Sequence, residues 1–207
     1  FVESLGHLYG RVTGKYYWED YVRVYPDPQD PLEVRNFLNH RKFYAFAAQF
    51  AHGANVADLG CGSGYGSVLL KEAGAASISG SDASTHAIGF AKQHFGELAR
   101  FEVQGVTELR AYPDRHFDLA ICSEVLEHIK EYGKENEALA EMKRVTRPGG
   151  IIVIGTPSSE LLVDHGFYFD ALDALFKHHF TALWLFEHGM RAPGDARPIG
   201  ANVGCVG

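Results

Sequence analysis

No apolar run in this 207-residue chain approaches the ~20 residues that cross a bilayer as a helix. A membrane span is therefore not expected. The first residues hold no basic stretch followed by an apolar core and a small-residue cleavage site, so no secretory leader is expected. Cysteine is scarce: Cys61, Cys122 and Cys205 are an odd, widely spaced set. That spacing gives neither a disulfide framework nor a zinc pattern. A reducing cytoplasm is the expected compartment, with the thiols packed among apolar neighbours. Positive charge is in deficit. Nineteen Lys and Arg against 26 Asp and Glu leave a net charge of −7. Non-specific nucleic-acid binding rests on cations that neutralise phosphates, so nucleic acid is not the expected partner. Internal repeats and low-complexity tracts are absent, and so is the G-x-x-x-x-G-K-[ST] loop of nucleotide triphosphatases.

The rest is an ordinary globular composition, 46% hydrophobic and 22% charged, enough for one domain with a real core. From Asn55 onward short apolar runs alternate with helical patterns. Strands are expected at 55–60, 77–82, 100–105, 117–123 and 149–157, the last after the breaker "RPGG". Helices are expected at 66–74, at 84–95, from Glu124, and at 136–146. Strands separated by helices imply parallel βαβ units. The last third adds a helix at 167–180 and strands at 181–188 and 201–207. The helix-free loop between those last two strands favours antiparallel pairing. The expected fold is α/β: a Rossmann-like open sheet of about seven strands, mostly parallel, the last antiparallel, with helices on both faces. Residues 1–36, rich in Tyr and holding Trp18, read as a cap or lid, or as simple packing against the domain. Residues 37–207 read as the ligand-binding domain, opening with a helix at 37–53.

The glycine loop is the most informative segment. In "VADLGCGSGYGS", Gly60, Gly62 and Gly64 alternate directly after a strand and before a helix. Glycines there let backbone turn tightly and approach a ligand. The spacing is G-x-G-x-G, not the G-x-G-x-x-G of dinucleotide folds. Asp58 beside the loop suits a cationic group better than a pyrophosphate. Asp82 ends the second strand, where a carboxylate can hold both ribose hydroxyls. S-adenosylmethionine carries an ammonium, a ribose and an adenine, and so fits both acids.

These motifs resemble those of the class I S-adenosylmethionine-dependent methyltransferases. "DLGCGSGYG" is similar to that family's first motif and "GSDAS" to the end of its second strand. "FDLAICSEVLEHI" resembles its fourth strand, and "LAEMKRVTRPGGIIVIGTP" its following helix and fifth strand. The resemblance covers roughly residues 37–160 in the expected order. It implies that Asp58, Gly60, Cys61, Gly62 and Gly64 face the methionine part of the cofactor. Asp82 would hold the ribose, with Ala83 near the adenine. Where many members carry Gly-Asp after the third strand, this chain has Gly105 and Val106. Val106 and Thr107 would then offer backbone groups at most. Ser123 and Glu124 would line the pocket near the sulfonium. The product would be S-adenosylhomocysteine.

"CSEVLEHIKEY" holds the candidate chemistry. Ser123 reads as a helix cap and Glu124 as a first-turn acid that suits the positive helix end. Positions 124, 127 and 128 would share one helical face. His128 could be a general base that takes a proton from an acceptor hydroxyl; "EVLEHI" resembles the segment of ubiquinone-biosynthesis O-methyltransferases. Alternatively Glu124, Glu127 and His128, with His165, could hold a divalent metal, as in the similar motif of methyltransferases of small-RNA 3′ ends. Neither role is a third reading. Three functions follow: methylation of a small hydroxylated acceptor such as a sugar, polyketide or quinone precursor; metal-dependent RNA 2′-O-methylation; or cofactor binding without catalysis. His40 could also reach the acceptor. The sequence names neither the acceptor nor an oligomeric state.

Overall fold

The computed structural model describes residues 31–157, 159 and 166–181. The expected strands at 181–188 and 201–207, most of the cap segment, His165 and Cys205 lie outside the described residues.

Among the described residues, five strands form one sheet: β1 (Asn55–Leu59), β2 (Ser77–Asp82), β3 (Arg100–Val103), β4 (Phe117–Ser123) and β5 (Thr146–Gly155). Their order is β3-β2-β1-β4-β5, and every pairing is parallel. The order reverses beside β1, between β2 and β4. Open α/β sheets bind ligands at the carboxyl ends of strands flanking such a switch point.

The helices are α1 (Pro31–Ala47), α2 (Tyr65–Glu72), α3 (Thr85–Phe95), α4 (Leu126–Lys130), α5 (Glu135–Val145) and α6 (Phe169–His179). Alternation along the strands separates two cores. Val56, Ile78, Phe101, Leu119, Ile121 and Val153 face α1, α2 and α3. Ala57, Leu59, Ala120, Cys122, Ile152 and Ile154 face α4, α5 and α6. Each buried Leu, Ile or Phe contributes about 1.5–3 kcal/mol by leaving water. The expectation of helices on both faces is met.

Three departures from the expected boundaries bear on the site. Helix α1 starts at Pro31, inside the expected cap segment; proline favours a first helical position because its missing N–H is not needed there. The "RPGG" breaker lies inside β5, not before it. The strand absorbs it as a bulge: β5 advances from Thr146 to Ile151 while β4 advances only from Phe117 to Leu119. The third boundary, at Glu124, belongs to the site.

Candidate cofactor and catalytic site

The loop after β1 is tied to β2 by its backbone. Gly60 N–H and Cys61 N–H both donate to Ser81 O, at 2.7 and 2.9 Å. Gly60, Gly62 and Gly64 have φ of +74°, +52° and +85°, a region that penalises any side chain. Space divides them. A Cβ on Gly60 would lie 2.2 Å from Val125 Cγ2, and one on Gly64 would lie 3.0 Å from Ala91 and Phe101. A Cβ on Gly62 would meet no described atom within 4 Å. Gly60 and Gly64 are glycines for packing, while Gly62 has free space around it among the described residues. Cys61 is buried between them, and burial, then Asp58 and Asp82, push its thiol pKa up.

The two acids flank this loop. Asp82 Oδ2 accepts from Gly62 N–H at 2.9 Å, and Oδ1 from Ser84 N–H at 2.9 Å. Ser84 in turn caps α3 by accepting from Ala87 N–H. Ala83 is exposed between them. Asp58 is fully buried. The Tyr44 hydroxyl of α1 donates to Oδ1 at 2.9 Å, and the Ser67 hydroxyl of α2 to Oδ2 at 2.7 Å. Burial raises the Asp58 pKa to about 6; the two hydroxyls oppose the rise and Asp82 adds to it. Tyr44 and Ser67 are site residues the sequence reading missed. Nothing local marks them, because Tyr44 meets Asp58 only when α1 docks on the sheet. His40 also reaches this loop: its Nδ1 lies 2.5 Å from the Tyr65 hydroxyl at the start of α2.

After β3, Gln104 N–H donates to Asp82 O at 3.0 Å. A Cβ on Gly105 would meet no described atom within 4 Å. Val106 is buried in the second core, so the position where relatives of the motif carry an acid turns an apolar side chain inward. Thr107 is half-buried.

At the end of β4, Ser123 is buried and pairs with Gly155. The expected helix cap and first-turn acid are not there. Helix α4 begins at Leu126 with Val125 as its N-cap and no side-chain cap bond. Glu124 has φ +54°, and its N–H still donates to Gly155 O at 2.8 Å. Sheet pairing holds Ser123 and Glu124, so the helix cannot start until the chain has turned through a left-handed residue at about 1–2 kcal/mol. Glu124 therefore shares no helical face with Glu127 and His128. Glu127 is buried, accepts from the Thr156 hydroxyl at 2.9 Å, and lies 3.9 Å from His128 Nε2. His128 is half-exposed. Lys130 donates to Gly166 O at 2.7 Å, tying α4 to the segment beyond β5. Thr156 and Lys130 were not anticipated. Among the described residues no three His, Cys, Asp or Glu side chains gather as metal ligands would, and His165 lies outside them.

The switch-point glycine loop and the two acids form a candidate site for a nucleotide-derived cofactor. Residues 57–154 match the family described as "Methyltransferase domain". This part of the chain is similar to a class I methyltransferase domain, of the kind that uses S-adenosylmethionine. Among curated proteins, the chain is 33% identical over 107 residues to the ubiquinone biosynthesis O-methyltransferase of Nitrosospira multiformis, covering 50% of this chain and 43% of that protein. It is 31% identical over 137 residues to a probable methyltransferase, ltbC, of Aspergillus luteorubrus, covering 60% and 46%. The chain thus spans about half the length of the curated relatives it matches. Among solved structures, the PH0226 protein of Pyrococcus horikoshii superposes with a TM-score of 0.69 at 18% identity, covering 92% of this chain and 97% of that one. The N-methyltransferase NodS of Bradyrhizobium japonicum, solved with S-adenosylhomocysteine, gives 0.64 at 18% identity, covering 80% and 83%. At these identities the structures establish a shared fold.

Proposed function

We propose that the chain transfers the methyl group of S-adenosylmethionine to a hydroxyl of a small-molecule acceptor, with His128 as general base. The observation that carries this reading is the contact between loop and helix. Gly60 abuts Val125, so the segment that holds Glu127 and His128 begins against the glycine loop. The cofactor supplies an electrophilic methyl on a sulfonium. Gly62 and its open surroundings would take the methionine part, Asp58 its ammonium, and Asp82 the ribose. Val106 and Thr107 would border the adenine. Ser123 and Glu124 would line the wall between cofactor and acceptor. His128 would take the acceptor's proton, with the buried Glu127 holding the imidazole's edge of the site. The relatives named as O-methyltransferases support oxygen as the methylated atom, and the net charge of −7 favours a small acceptor over a polyphosphate chain.

The test is methyl transfer from labelled S-adenosylmethionine to a panel of phenols, catechols, sugars and RNA, with and without EDTA. Transfer to a small hydroxyl compound, lost in His128→Ala while S-adenosylhomocysteine still binds, is expected. Transfer to RNA alone would overturn the acceptor class. Full activity in His128→Ala would overturn the base. Activity abolished by EDTA and restored by a divalent ion would move His128 from base to metal ligand.

A further inference from the structure

Helix α5 carries two side chains that the site above does not use. Glu141 and Arg144, at i and i+3, grip each other through two hydrogen bonds: Arg144 Nε to Glu141 Oε1 at 2.7 Å and Nη2 to Oε2 at 2.9 Å. Both then reach past their own helix to the segment after β3. Arg144 Nη2 donates to Leu109 O at 3.0 Å, and Nη1 to Tyr112 O at 3.0 Å and to Asp114 Oδ1 at 2.6 Å. Glu141 Oε2 accepts from Leu109 N–H at 2.8 Å. One ion pair therefore satisfies both backbone groups of Leu109 and the carbonyl of Tyr112. Bonds to an ionised partner are roughly twice as strong as neutral ones. The Arg144 partners, Glu141 and then Asp114, push its pKa upward, and Arg144 holds that of Glu141 down, so both stay charged.

The clasped segment leads directly to the cofactor site. It leaves β3 at Gln104, whose N–H is bonded to Asp82 O, and runs through Gly105, Val106 and Thr107. Its neck is closed by Ala111 N–H donating to Gln104 Oε1 at 3.0 Å. Its interior offers little else polar to fix its shape. Ser81 Oγ, Gln104 Nε2 and the Tyr112 hydroxyl are buried there and make no hydrogen bond among the described residues. Ser81 and Gln104 lie near enough to offset part of the burial that raises the Tyr112 pKa. The shape of the bend is imposed from outside, by α5.

We propose that Glu141 and Arg144 are positioning residues for the adenosine half of S-adenosylmethionine. They set its affinity by holding residues 105–112 in the bound form, without touching the cofactor. A preformed loop spares binding the cost of ordering it. This rests on the cofactor reading given above.

The test measures calorimetric Kd for S-adenosylhomocysteine and for 5′-methylthioadenosine, which keeps the adenosine and lacks the amino acid. Arg144→Met is expected to weaken both ligands by the same factor, about tenfold or more, equal to about 1.4 kcal/mol. KM for S-adenosylmethionine should rise by that factor, with kcat at saturating cofactor within about twofold. Arg144→Lys, which keeps the charge but loses the fork, should fall between. Asp58→Asn should weaken S-adenosylhomocysteine alone, which separates the two halves of the ligand. If Arg144→Met does not fold, Glu141→Gln reads the same split, because its amide cannot serve Arg144 and Leu109 together as the carboxylate does. A lower Tm with both Kd values unchanged would assign the pair to stability alone and overturn the proposal. If the wild-type protein binds neither ligand, the cofactor reading fails and this one falls with it.

Discussion

The ends of β1 and β4 lie side by side, yet one is made of residues without side chains and the other of residues with charged ones. After β1, three glycines take left-handed backbone at almost no cost, and the single buried acid is held by hydroxyls from two helices. After β4, Glu124 takes the same left-handed region with a full side chain, and Glu127 and His128 follow within one turn. On the proposed function, the first end would receive the cofactor and the second would act beside it. Backbone freedom is used where glycines make the turn; strain is tolerated where Glu124 must pair with Gly155 before the helix can start.

Five substitutions, grouped in four tests, probe that contrast. The largest effect is expected at Gly60. Gly60→Ala would place a methyl 2.2 Å from Val125, so overpacking and left-handed strain together should cost about 2–5 kcal/mol. Gly62→Ala meets only the strain, about 1–2 kcal/mol, and should fold while failing to bind S-adenosylhomocysteine. Urea titration and calorimetry on the pair decide this; normal binding by Gly62→Ala would mean that the ligand does not use that opening. Next, His128→Ala should lower kcat by about 10²–10⁴ with ligand affinity kept. That is the reverse of the pattern at β1, and equal losses in kcat and affinity would erase the distinction.

Asp58 gives the third test, through pH. Its folded pKa of about 6 exceeds the unfolded 3.8. Its contribution to stability is therefore fully present below 3.8 and lost as pH rises through 6. Asp58→Asn should stabilise the free protein at pH 7 by up to about 3 kcal/mol and weaken S-adenosylhomocysteine. In the wild type, affinity should climb between pH 5 and 7 as the carboxylate ionises, and flatten in Asp58→Asn. An unchanged pH profile in the variant would remove Asp58 from ammonium binding. The smallest effect is at Glu124: Glu124→Gly should relieve about 1 kcal/mol of strain, read as a rise in Tm. A fall would mean the side chain's contacts outweigh the strain.

Much of this edge was legible in the sequence. The five strands stand out as short apolar runs between helical patterns, and the glycine loop announces itself by spacing. Glu124 was misread for a definite reason. Ser-Glu before an apolar stretch satisfies every local rule for a helix start, and only the pairing of Ser123 with Gly155 overrides it. "RPGG" was misread similarly, because a breaker in isolation is a bulge when β4 supplies a partner on both sides. The bond from Tyr44 to Asp58 had no local signal, since it depends on how α1 lies across β1. The clasp from Arg144 was hidden for the same reason: two of its acceptors, Leu109 O and Tyr112 O, are backbone atoms, which the sequence does not distinguish.

Helix α1 sits in two notches. Phe43 fills the space a side chain on Gly155 would need, 2.7 Å from its Cβ, and the Tyr44 ring fills that of Gly66, at 2.1 Å. Neighbouring residues on one helix are thus matched to glycines on β5 and α2. In evolutionary terms these positions should drift in pairs. A lineage that gains alanine at 66 should first have lost the aromatic ring at 44, and with it one of the two hydroxyls that hold Asp58.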